Sequence, residues 1–345
     1  MSRKSLVFIT RPLELIGAIE AREKFQIAKV ILVICYDKVD LNTHQFLLGK
    51  YPEWEEVIWQ EMDGNYYGNK WVILVKKLKN YRYEYLLTRS FRTASYFIHN
   101  LHYEKLFLLD DGAATINIYN SLVANGNLNN RFHLFKGEEN DVLRTKQKKR
   151  ILKLLLKGIS VSKPVEYVNF FTFYEIESND NCNVVKNEFN WLKKLKGDRL
   201  NKLNNVVYFI GNNVIKEGVL SYYDYLETLI KIKEHYKGKE VFYLPHPNED
   251  QGFCDFIENY LGFKIKKNKV NIELSFLIEN QIPEIITGTV STALTTLSFL
   301  YKDDFSVEYF NFNLNKISAR WKKQIEGMFA YQKARLKENT LEYES

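Results

Sequence analysis

Short apolar runs alternate with longer, mostly polar stretches up to about residue 110. Three of these runs lack polar alternation, as is typical of strands buried on both faces of a parallel sheet. They span 5–9, 30–35 and 106–109. Pro12 follows the first run and favours the first turn of a helix, which we predict to continue to about Lys24. Residues 71–75 indicate a third element, and 81–100, which lacks Gly and Pro, predicts a helix.

A second series of strand and helix signals begins after about residue 204. Its predicted elements are 206–210, 222–236, 240–244 and a strand that ends at Gly288. A basic helix, 141–157, and a less regular connector lie between the two series. Two such series predict an α/β protein with two Rossmann-like domains that face a central cleft. The expected divisions of the chain are 1–157, 158–204, 205–315 and 316–345.

The composition is that of a folded globular protein with a basic balance. Hydrophobic residues make up 46% of the 345 residues and charged residues 26%, which argues against disorder. The formal net charge of +7 is concentrated in segments 144–157 and 316–337, which carry +7 and +6, so the rest of the chain carries −6. Such segments are either solvated helix faces or sites of attraction to anionic lipid. No nucleic-acid-binding module is recognised, so nucleic acid is not an expected partner.

Cysteine usage and hydropathy indicate the compartment. Cys35, Cys182 and Cys254 form no C-x-x-C pair and are too few for a disulfide framework, which favours a reducing cytoplasm. The longest apolar run is far shorter than the roughly 20 residues that span a bilayer. We therefore expect a cytoplasmic protein that is at most peripheral on the inner face of the cytoplasmic membrane.

Polar groups directly follow three of the predicted strands, where open α/β sheets bind their ligands. They are Asp110–Gly112, His246–Pro247 and Ser291–Thr292. Asp111 beside a second carboxylate is suited to act as a base, although an aspartate here also serves as an ordinary helix N-cap. Gly112 would let a substrate approach the backbone closely.

The other two groups are suited to bind a phosphate. Prolines on both sides hold the backbone of His246 extended, so its imidazole could meet a phosphate or leaving group; an ordinary loop histidine is the alternative. Ser291 and Thr292 at a helix start could form an anion site, or a plain helix cap. The remaining histidines show no metal-ligand spacing.

Taken together, the three groups resemble the D/E-D/E-G, HP and S-S/T motifs of bacterial sialyltransferases with the GT-B fold. The segment Thr10–Glu20 also resembles the opening of glycosyltransferase family 52, the lipooligosaccharide and capsule sialyltransferases. The resemblance extends from about residue 5 to about residue 300. It implies an acceptor-side domain at 1–157, a nucleotide-sugar-binding domain at 205–315, and a C-terminal basic helix that crosses back to the N-terminal domain.

The resemblance also implies roles for single residues. Asp111 would take the proton of the acceptor hydroxyl, and His246, next to Pro247, would bind the CMP phosphate and assist its departure. Ser291 and Thr292 would hold the same phosphate. Glu273 matches a family acid that binds the ribose hydroxyls, and Gly211 would let the nucleotide approach; a surface glutamate and a turn glycine are the alternatives.

The implied reaction is an inverting transfer of sialic acid from CMP-sialic acid to a galactose-type hydroxyl of a cell-surface glycan. No metal or other cofactor is expected, because the donor has a single phosphate and the chain lacks an Asp-x-Asp motif. Expected partners are the CMP-sugar, a glycan acceptor that could be lipid-linked, an anionic membrane surface and a second copy of the chain. The alternatives are a polysialyl- or Kdo-transferase, a sugar-nucleotide epimerase and a non-catalytic binding module.

Overall fold

The structure is a computed structural model that describes residues 4–62, 68–89, 93–126, 141–163, 165–197 and 200–341, without the side chains of 113, 124, 125 and 141–144. The chain forms two compact units, Met1–Lys194 and Leu195–Ser345. Each unit has its own parallel sheet with helices between strands. The predicted fold class, two Rossmann-like α/β domains of the GT-B type, is thereby confirmed.

The first unit contains seven described strands and seven described helices. The strands are β1 (Lys4–Ile9), β2 (Lys29–Tyr36), β3 (Glu56–Glu61), β4 (Arg82–Thr88), β5 (His102–Leu109), β6 (Val168–Thr172) and β7 (Cys182–Lys186). The helices are α1 (Pro12–Phe25), α2 (Leu41–Lys50), α3 (Asn69–Leu78), α4 (Ala94–Asn100), α5 (Ala113–Asn125), α6 (Asp141–Leu156) and α7 (Asn190–Lys196), the last of which ends just past the division between the units. The strand order is β3-β2-β1-β4-β5-β6-β7, with every pairing parallel.

The uninterrupted apolar runs form the centre of this sheet, as their pattern predicts. All residues of 5–9 in β1 and 30–35 in β2 are buried, because helices cover both faces of the sheet. On one face Trp71 packs edge-on against Phe8 and stacks on Tyr96, with ring centroids 6.1 and 5.9 Å apart. The sheet is therefore a rigid base for the loops at the carboxyl ends of its strands.

The second unit repeats the same plan with six described strands. They are β8 (Asn201–Ile210), β9 (Glu240–Leu244), β10 (Lys264–Ile265), β11 (Gln281–Gly288), β12 (Ser306–Phe310) and β13 (Lys337–Asn339). The described helices are α8 (Tyr222–His235), α9 (Gln251–Leu261), α10 (Ile272–Glu279), α11 (Thr292–Leu300) and α12 (Ala319–Lys333). The strand order is β10-β9-β8-β11-β12-β13, again parallel throughout.

One local prediction in the first unit is wrong. The segment 81–100 is not one helix, since it forms β4 and then α4. Its first half contains three tyrosines at alternate positions, which favours a strand, and pairing with both β1 and β5 stabilises that strand. Residues 71–75 belong to helix α3, where Ile73 is exposed between buried neighbours, as the helical period requires.

The predicted connector is also corrected by the structure. Within 158–204, strands β6 and β7 extend the first sheet beyond β5, so most of the segment belongs to the first unit. The division lies between Lys194 and Leu195 rather than after residue 157. This stretch resembles a linker in sequence because it is polar and its apolar residues are irregularly spaced. It belongs to the first unit because β6 pairs with β5, which is a long-range contact.

The described contacts of the C-terminal helix lie within the second unit. Phe329 of α12 is buried and its ring lies 5.7 Å from that of Phe312, while Trp321 Nε1 donates to the carbonyl of Glu217 at 3.0 Å. The predicted crossing of this segment to the N-terminal domain stays a prediction. None of the described helices is long and apolar enough to span a membrane.

Candidate functional site

Neighbouring strands β1, β4 and β5 place the polar residues that follow them at one edge of the first sheet. Thr10 follows β1, Arg89 follows β4, and Asp110 and Asp111 follow β5. Because these strands are parallel and adjacent, their carboxyl ends meet at the same edge. The predicted acidic motif therefore lies where a Rossmann-like sheet binds its ligands.

Glu14, in the first turn of α1, contacts residues at this edge of the sheet. Its side chain is fully buried and accepts hydrogen bonds from the backbone N–H of Thr10 at 2.5 Å and of Arg11 at 3.1 Å. The Thr10 hydroxyl adds a third donor at 3.2 Å. A carboxylate three residues after the N-cap satisfies otherwise unpaired N–H groups at the helix start, which explains why it is buried there.

Arg89 connects the two carboxyl groups of the site. Its Nη2 lies 3.1 Å from Asp111 Oδ2, its Nε lies 3.4 Å from Glu14 Oε1, and its Nη1 donates to the Thr10 hydroxyl. Burial, followed by the neighbouring charge of Glu14, raises the pKa of Asp111 to about 7 against the opposing effect of Arg89. A carboxyl with this pKa can accept or release a proton near neutral pH.

Asp110 and Asp111 have different surroundings. Asp110 is buried and accepts hydrogen bonds from the Thr172 hydroxyl at 2.5 Å and the Phe173 N–H at 2.9 Å, so it ties β5 to the end of β6. Burial raises its pKa to about 7 as well. Asp111 does not cap α5, because Gly112 is the N-cap. Gly112 has a φ of 58°, which explains glycine at this turn.

The second sheet presents its own set of strand ends. Gly211 follows β8, His246 follows β9 after one proline, and Ser291 follows β11 after a short turn. Since β9, β8 and β11 are neighbours in the order of the sheet, these residues share one edge. These residues follow strands, as the sequence predicts.

His246 lies in a tight turn that fixes its ring. The N–H of Asn248 donates to His246 Nδ1 at 3.2 Å, and the N–H of Glu249 donates to the His246 carbonyl at 2.9 Å. A neutral imidazole that accepts at Nδ1 carries its proton on Nε2, which is then the donor atom. Pro247 is exposed on this turn.

Glu249 was not predicted, and it supports the turn from inside. It accepts from His246 N and from Tyr243 Oη, both at 2.5 Å, and burial raises its pKa to about 7. A Cβ on Gly211 would lie 2.6 Å from Tyr243 Oη and 2.7 Å from Glu249 Oε2. Glycine at 211 is thus explained by this protein contact, and its predicted contact with a nucleotide stays a prediction.

Ser291 and Thr292 begin helix α11. Ser291 is the N-cap, and its hydroxyl accepts from the N–H of Ala293 at 3.3 Å. Two side chains hold the preceding turn: Asn212 donates to the Thr289 hydroxyl at 2.6 Å, and Gln332 of α12 donates to the carbonyls of Thr289 and Ser291 at 3.2 and 3.3 Å. Both alternatives for this motif, cap and anion site, are compatible with a helix N-terminus held in this way.

Glu273 is in the first turn of α10 and is buried. Its Oε2 accepts from Asn271 Nδ2 at 2.9 Å, and its carbonyl accepts from Tyr301 Oη at 2.7 Å. Burial raises the pKa of Glu273 to about 7. The alternative of a surface glutamate is therefore wrong, while its role toward a ribose stays a prediction.

The structure thus gathers the predicted residues into two strand-end clusters, one in each unit. Asp111 belongs to the first, and Gly211, His246, Pro247, Ser291 and Thr292 belong to the second. Glu273 lies apart from these strand ends in the first turn of α10, where its hydrogen bonds are with Asn271 and Tyr301. Within the described part of the chain, no group of three or more His, Cys, Asp or Glu side chains is arranged to hold a metal ion.

Arg89 was missed because β4 was predicted as helix, which concealed that Arg89 stands at a strand end. No sequence pattern indicated Glu249 or Gln332, because both act through tertiary contacts. Glu14 lies within the N-terminal segment that resembles family 52, but its contact with the Asp111 cluster could not be read from spacing.

Solved structures with a similar fold were found at low identity. A glycosyltransferase family 9 protein from Veillonella parvula DSM 2008 has 12% identity and a TM-score of 0.45, covering 99% of this chain and 89% of that one. A UDP-GlcNAc 2-epimerase from Methanocaldococcus jannaschii has 12% identity and a TM-score of 0.47, with 96% and 92% covered. The spinosyn forosaminyltransferase SpnP has 11% identity and a TM-score of 0.47, with 98% and 85% covered.

The sequence comparisons are more specific. No curated protein matches the chain significantly. Residues 5–304 match the family model described as Alpha-2,8-polysialyltransferase (POLYST). This match confirms the resemblance to bacterial sialyltransferases, whereas the closer likeness to family 52 stays a prediction. The matched range contains Asp111, His246 and Ser291, whose roles stay predictions. Because the match covers most of its length, the chain belongs to the alpha-2,8-polysialyltransferase family.

Proposed function

We propose that this protein transfers sialic acid from CMP-sialic acid to a sugar hydroxyl with inversion at the anomeric carbon. Family membership supports sialyl transfer. The single observation that carries the mechanism is the largely buried Asp111 carboxyl, which lies beside Glu14 and Arg89. The pKa of Asp111, about 7, suits a general base at neutral pH.

In the proposed reaction the acceptor oxygen attacks the anomeric carbon as its proton moves to Asp111. The bond between that carbon and the phosphate oxygen breaks, and the electron pair leaves with CMP. Two groups would stabilise the developing charge on the phosphate: the Nε2–H of His246 and the N-terminus of α11 at Ser291 and Thr292. Glu273 would accept hydrogen bonds from the ribose hydroxyls.

The acceptor is open between two chemical classes. A galactose-type hydroxyl of lipooligosaccharide or capsule fits a family 52 enzyme, whereas a terminal sialic acid fits polysialyl extension. Membership of the alpha-2,8-polysialyltransferase family favours the second. We propose sialyl transfer in either case, independent of metal ions because the leaving group has one phosphate.

A membrane surface is the proposed meeting place with a lipid-linked acceptor. Helix α6 exposes Leu155 and Leu156, 52% and 79% accessible, among lysines that include Lys149 and Lys153. Exposed leucines beside basic residues are typical of helices that bind anionic bilayers. The side chain of Arg144, at the start of the basic segment, lies outside the described residues.

Vesicle binding tests the proposed interaction with an anionic membrane. We expect sedimentation with phosphatidylglycerol vesicles to exceed that with phosphatidylcholine vesicles, and Leu155→Glu/Leu156→Glu to remove the difference. Tyr260→Ser, which changes a 76% exposed residue on α9, is the matched control. Equal binding to both vesicle types would exclude the proposed lipid preference.

The transfer itself is tested with the purified chain, CMP-sialic acid, and fluorescent lactoside or α2,8-linked oligosialoside acceptors, without metal and with EDTA. We expect a lengthened glycan and free CMP, and for Asp111→Asn a loss of about 10²-fold or more with CMP binding nearly unchanged. His246→Ala should weaken both turnover and CMP binding. Asp303→Asn, at an exposed turn, is the control.

Three outcomes would overturn the assignment. Full activity of Asp111→Asn would exclude Asp111 as the general base. Transfer from CMP-Kdo alone would indicate a Kdo-transferase. Epimerisation of a UDP-sugar without any sialoside would indicate an epimerase.

A further inference from the structure

Two carboxyl groups at the edge of the first sheet share one guanidinium. Arg89 lies 3.4 Å from Glu14 through Nε and 3.1 Å from Asp111 through Nη2. The side chains of these three residues are 14%, 0% and 12% exposed, so solvent screens their interaction weakly. One positive charge therefore faces two carboxyl groups, and the cluster is one charge short of balance when both are ionised.

The surroundings distinguish the two carboxyl groups. Glu14 accepts hydrogen bonds from two backbone N–H groups and the Thr10 hydroxyl, so its carboxyl group is held at the N-terminus of α1. The Asp111 carboxylate contacts Arg89 and shares a hydrogen bond with Glu14. Burial and the neighbouring charge of Glu14 raise the pKa of Asp111, so Asp111 is the member of the pair suited to take up a proton.

The other groups around Asp111 have partners of their own. Asp110 is bound by Thr172 and Phe173, while the Thr115 hydroxyl accepts from the N–H of Asp111. From α2, His44 Nε2 lies 3.2 Å from the Thr10 carbonyl, and burial lowers the pKa of His44.

Arg11 forms ion pairs with Asp37 and Asp40, and its Nη1 lies 2.6 Å from Oδ2 of each. Its charge is thus compensated away from the pair. Among the described residues, Glu14 and Arg89 are therefore charges that act directly on Asp111.

We propose that Glu14 and Arg89 are positioning residues that hold Asp111 as the proton-accepting member of a carboxyl pair. The inference rests on the proposed function, in which Asp111 is the general base. Glu14 supplies a fixed negative charge that makes Asp111 a stronger base than an ordinary aspartate. Arg89 orients the Asp111 carboxylate and keeps it ionised often enough to act at neutral pH.

Glu14 and Arg89 have opposite electrostatic effects on Asp111. The test therefore expects the pKa of Asp111 to move in opposite directions when each charge is removed. Removing the Glu14 charge lowers the pKa of Asp111, and removing the Arg89 charge raises it. A purely structural role for either residue would change stability or overall rate without moving the Asp111 titration in these opposite directions.

The experiment follows the Asp111 carboxyl directly by ¹³C NMR of the full chain labelled at aspartate, with the resonance assigned by its absence in Asp111→Asn. We expect Glu14→Gln to lower the titration midpoint, and Arg89→Gln to raise it, by about one pH unit each. Glu20→Gln is the matched control, since Glu20 is also buried on α1 and accepts two backbone N–H groups, those of Trp191 and Leu192.

The acidic limb of the pH–rate profile should move with the NMR midpoint in each variant. If one variant fails to fold, the shift in the other still decides. Midpoints unchanged in the folded variants, or moved equally by Glu20→Gln, would overturn the inference even in an active enzyme. An NMR response as expected in a chain that forms no sialoside would support the carboxyl pair and instead overturn the proposed function.

Discussion

The carboxylate of Glu249 lies 2.5 Å from the backbone nitrogen of His246 and so holds the turn that presents the imidazole. Its other oxygen accepts from Tyr243, whose hydroxyl lies 3.1 Å from that of Tyr225. Both tyrosine side chains are fully buried, and burial raises the pKa of both hydroxyls. The histidine turn is thus supported by a buried hydrogen-bond network as well as by its two prolines.

Glu249→Ala should loosen this turn. The N–H of His246 and the hydroxyl of Tyr243 would lose their acceptor, which costs about 1–3 kcal/mol of stability for a buried donor. We expect kcat/KM for CMP-sialic acid to fall by roughly tenfold or more, in proportion to that lost positioning. Glu227→Ala, at an exposed helix pair, is the control, and an unchanged kcat/KM in Glu249→Ala would contradict the proposed support.

Gly211→Ala should strain the same network from the opposite side. The new methyl group would lie 2.6 Å from Tyr243 Oη, and the buried ring of Tyr243 has little room to move. We expect a loss of about 1–3 kcal/mol in the free energy of urea unfolding. Gly49→Ala, whose Cβ would meet nothing within 4 Å in helix α2, should be neutral or stabilising; equal effects of the two substitutions would refute this explanation.

Gln332→Met should disturb the turn before α11. Methionine matches glutamine in length but cannot donate to the carbonyls of Thr289 and Ser291. We expect KM for CMP-sialic acid to rise about three- to tenfold, with a smaller change in kcat, because one buried hydrogen bond contributes about 0.5–1.5 kcal/mol. The matched control is Gln324→Met on the exposed side of α12, and a KM equal to that of the control would argue against this role.

Glu273 predicts a pH dependence of stability with a definite sign. Burial raises its pKa to about 7, whereas an unfolded glutamate titrates near pH 4.3, so between these values the folded chain holds the extra proton. Its contribution is fully present below the unfolded pKa and is lost as the pH rises toward 7. The urea midpoint of the wild type should therefore fall more steeply from pH 5 to pH 7.5 than that of Glu273→Gln. Parallel curves for the two proteins would contradict the raised pKa.

Local sequence patterns predicted the structure reliably where all residues of a run share one environment, such as the buried interior. The apolar runs 5–9 and 30–35 predict buried strands, and both form the centre of the first sheet. The segment 81–100 misled because absence of Gly and Pro permits a helix without requiring one. Its strand exists because β1 and β5 lie on either side of it, which is a long-range condition.

The motifs show the same limit. The sequence by itself determined two α/β units and the strand-end placement of Asp111, His246 and Ser291, because a polar residue after an apolar strand has few other places to lie. Only the tertiary structure decided that β6 and β7 complete the first sheet, and that Glu14, Arg89 and Glu249 act on the motif residues. Those contacts join residues from different elements or depend on the path of a turn, and side-chain type and spacing along the chain do not encode distance in space.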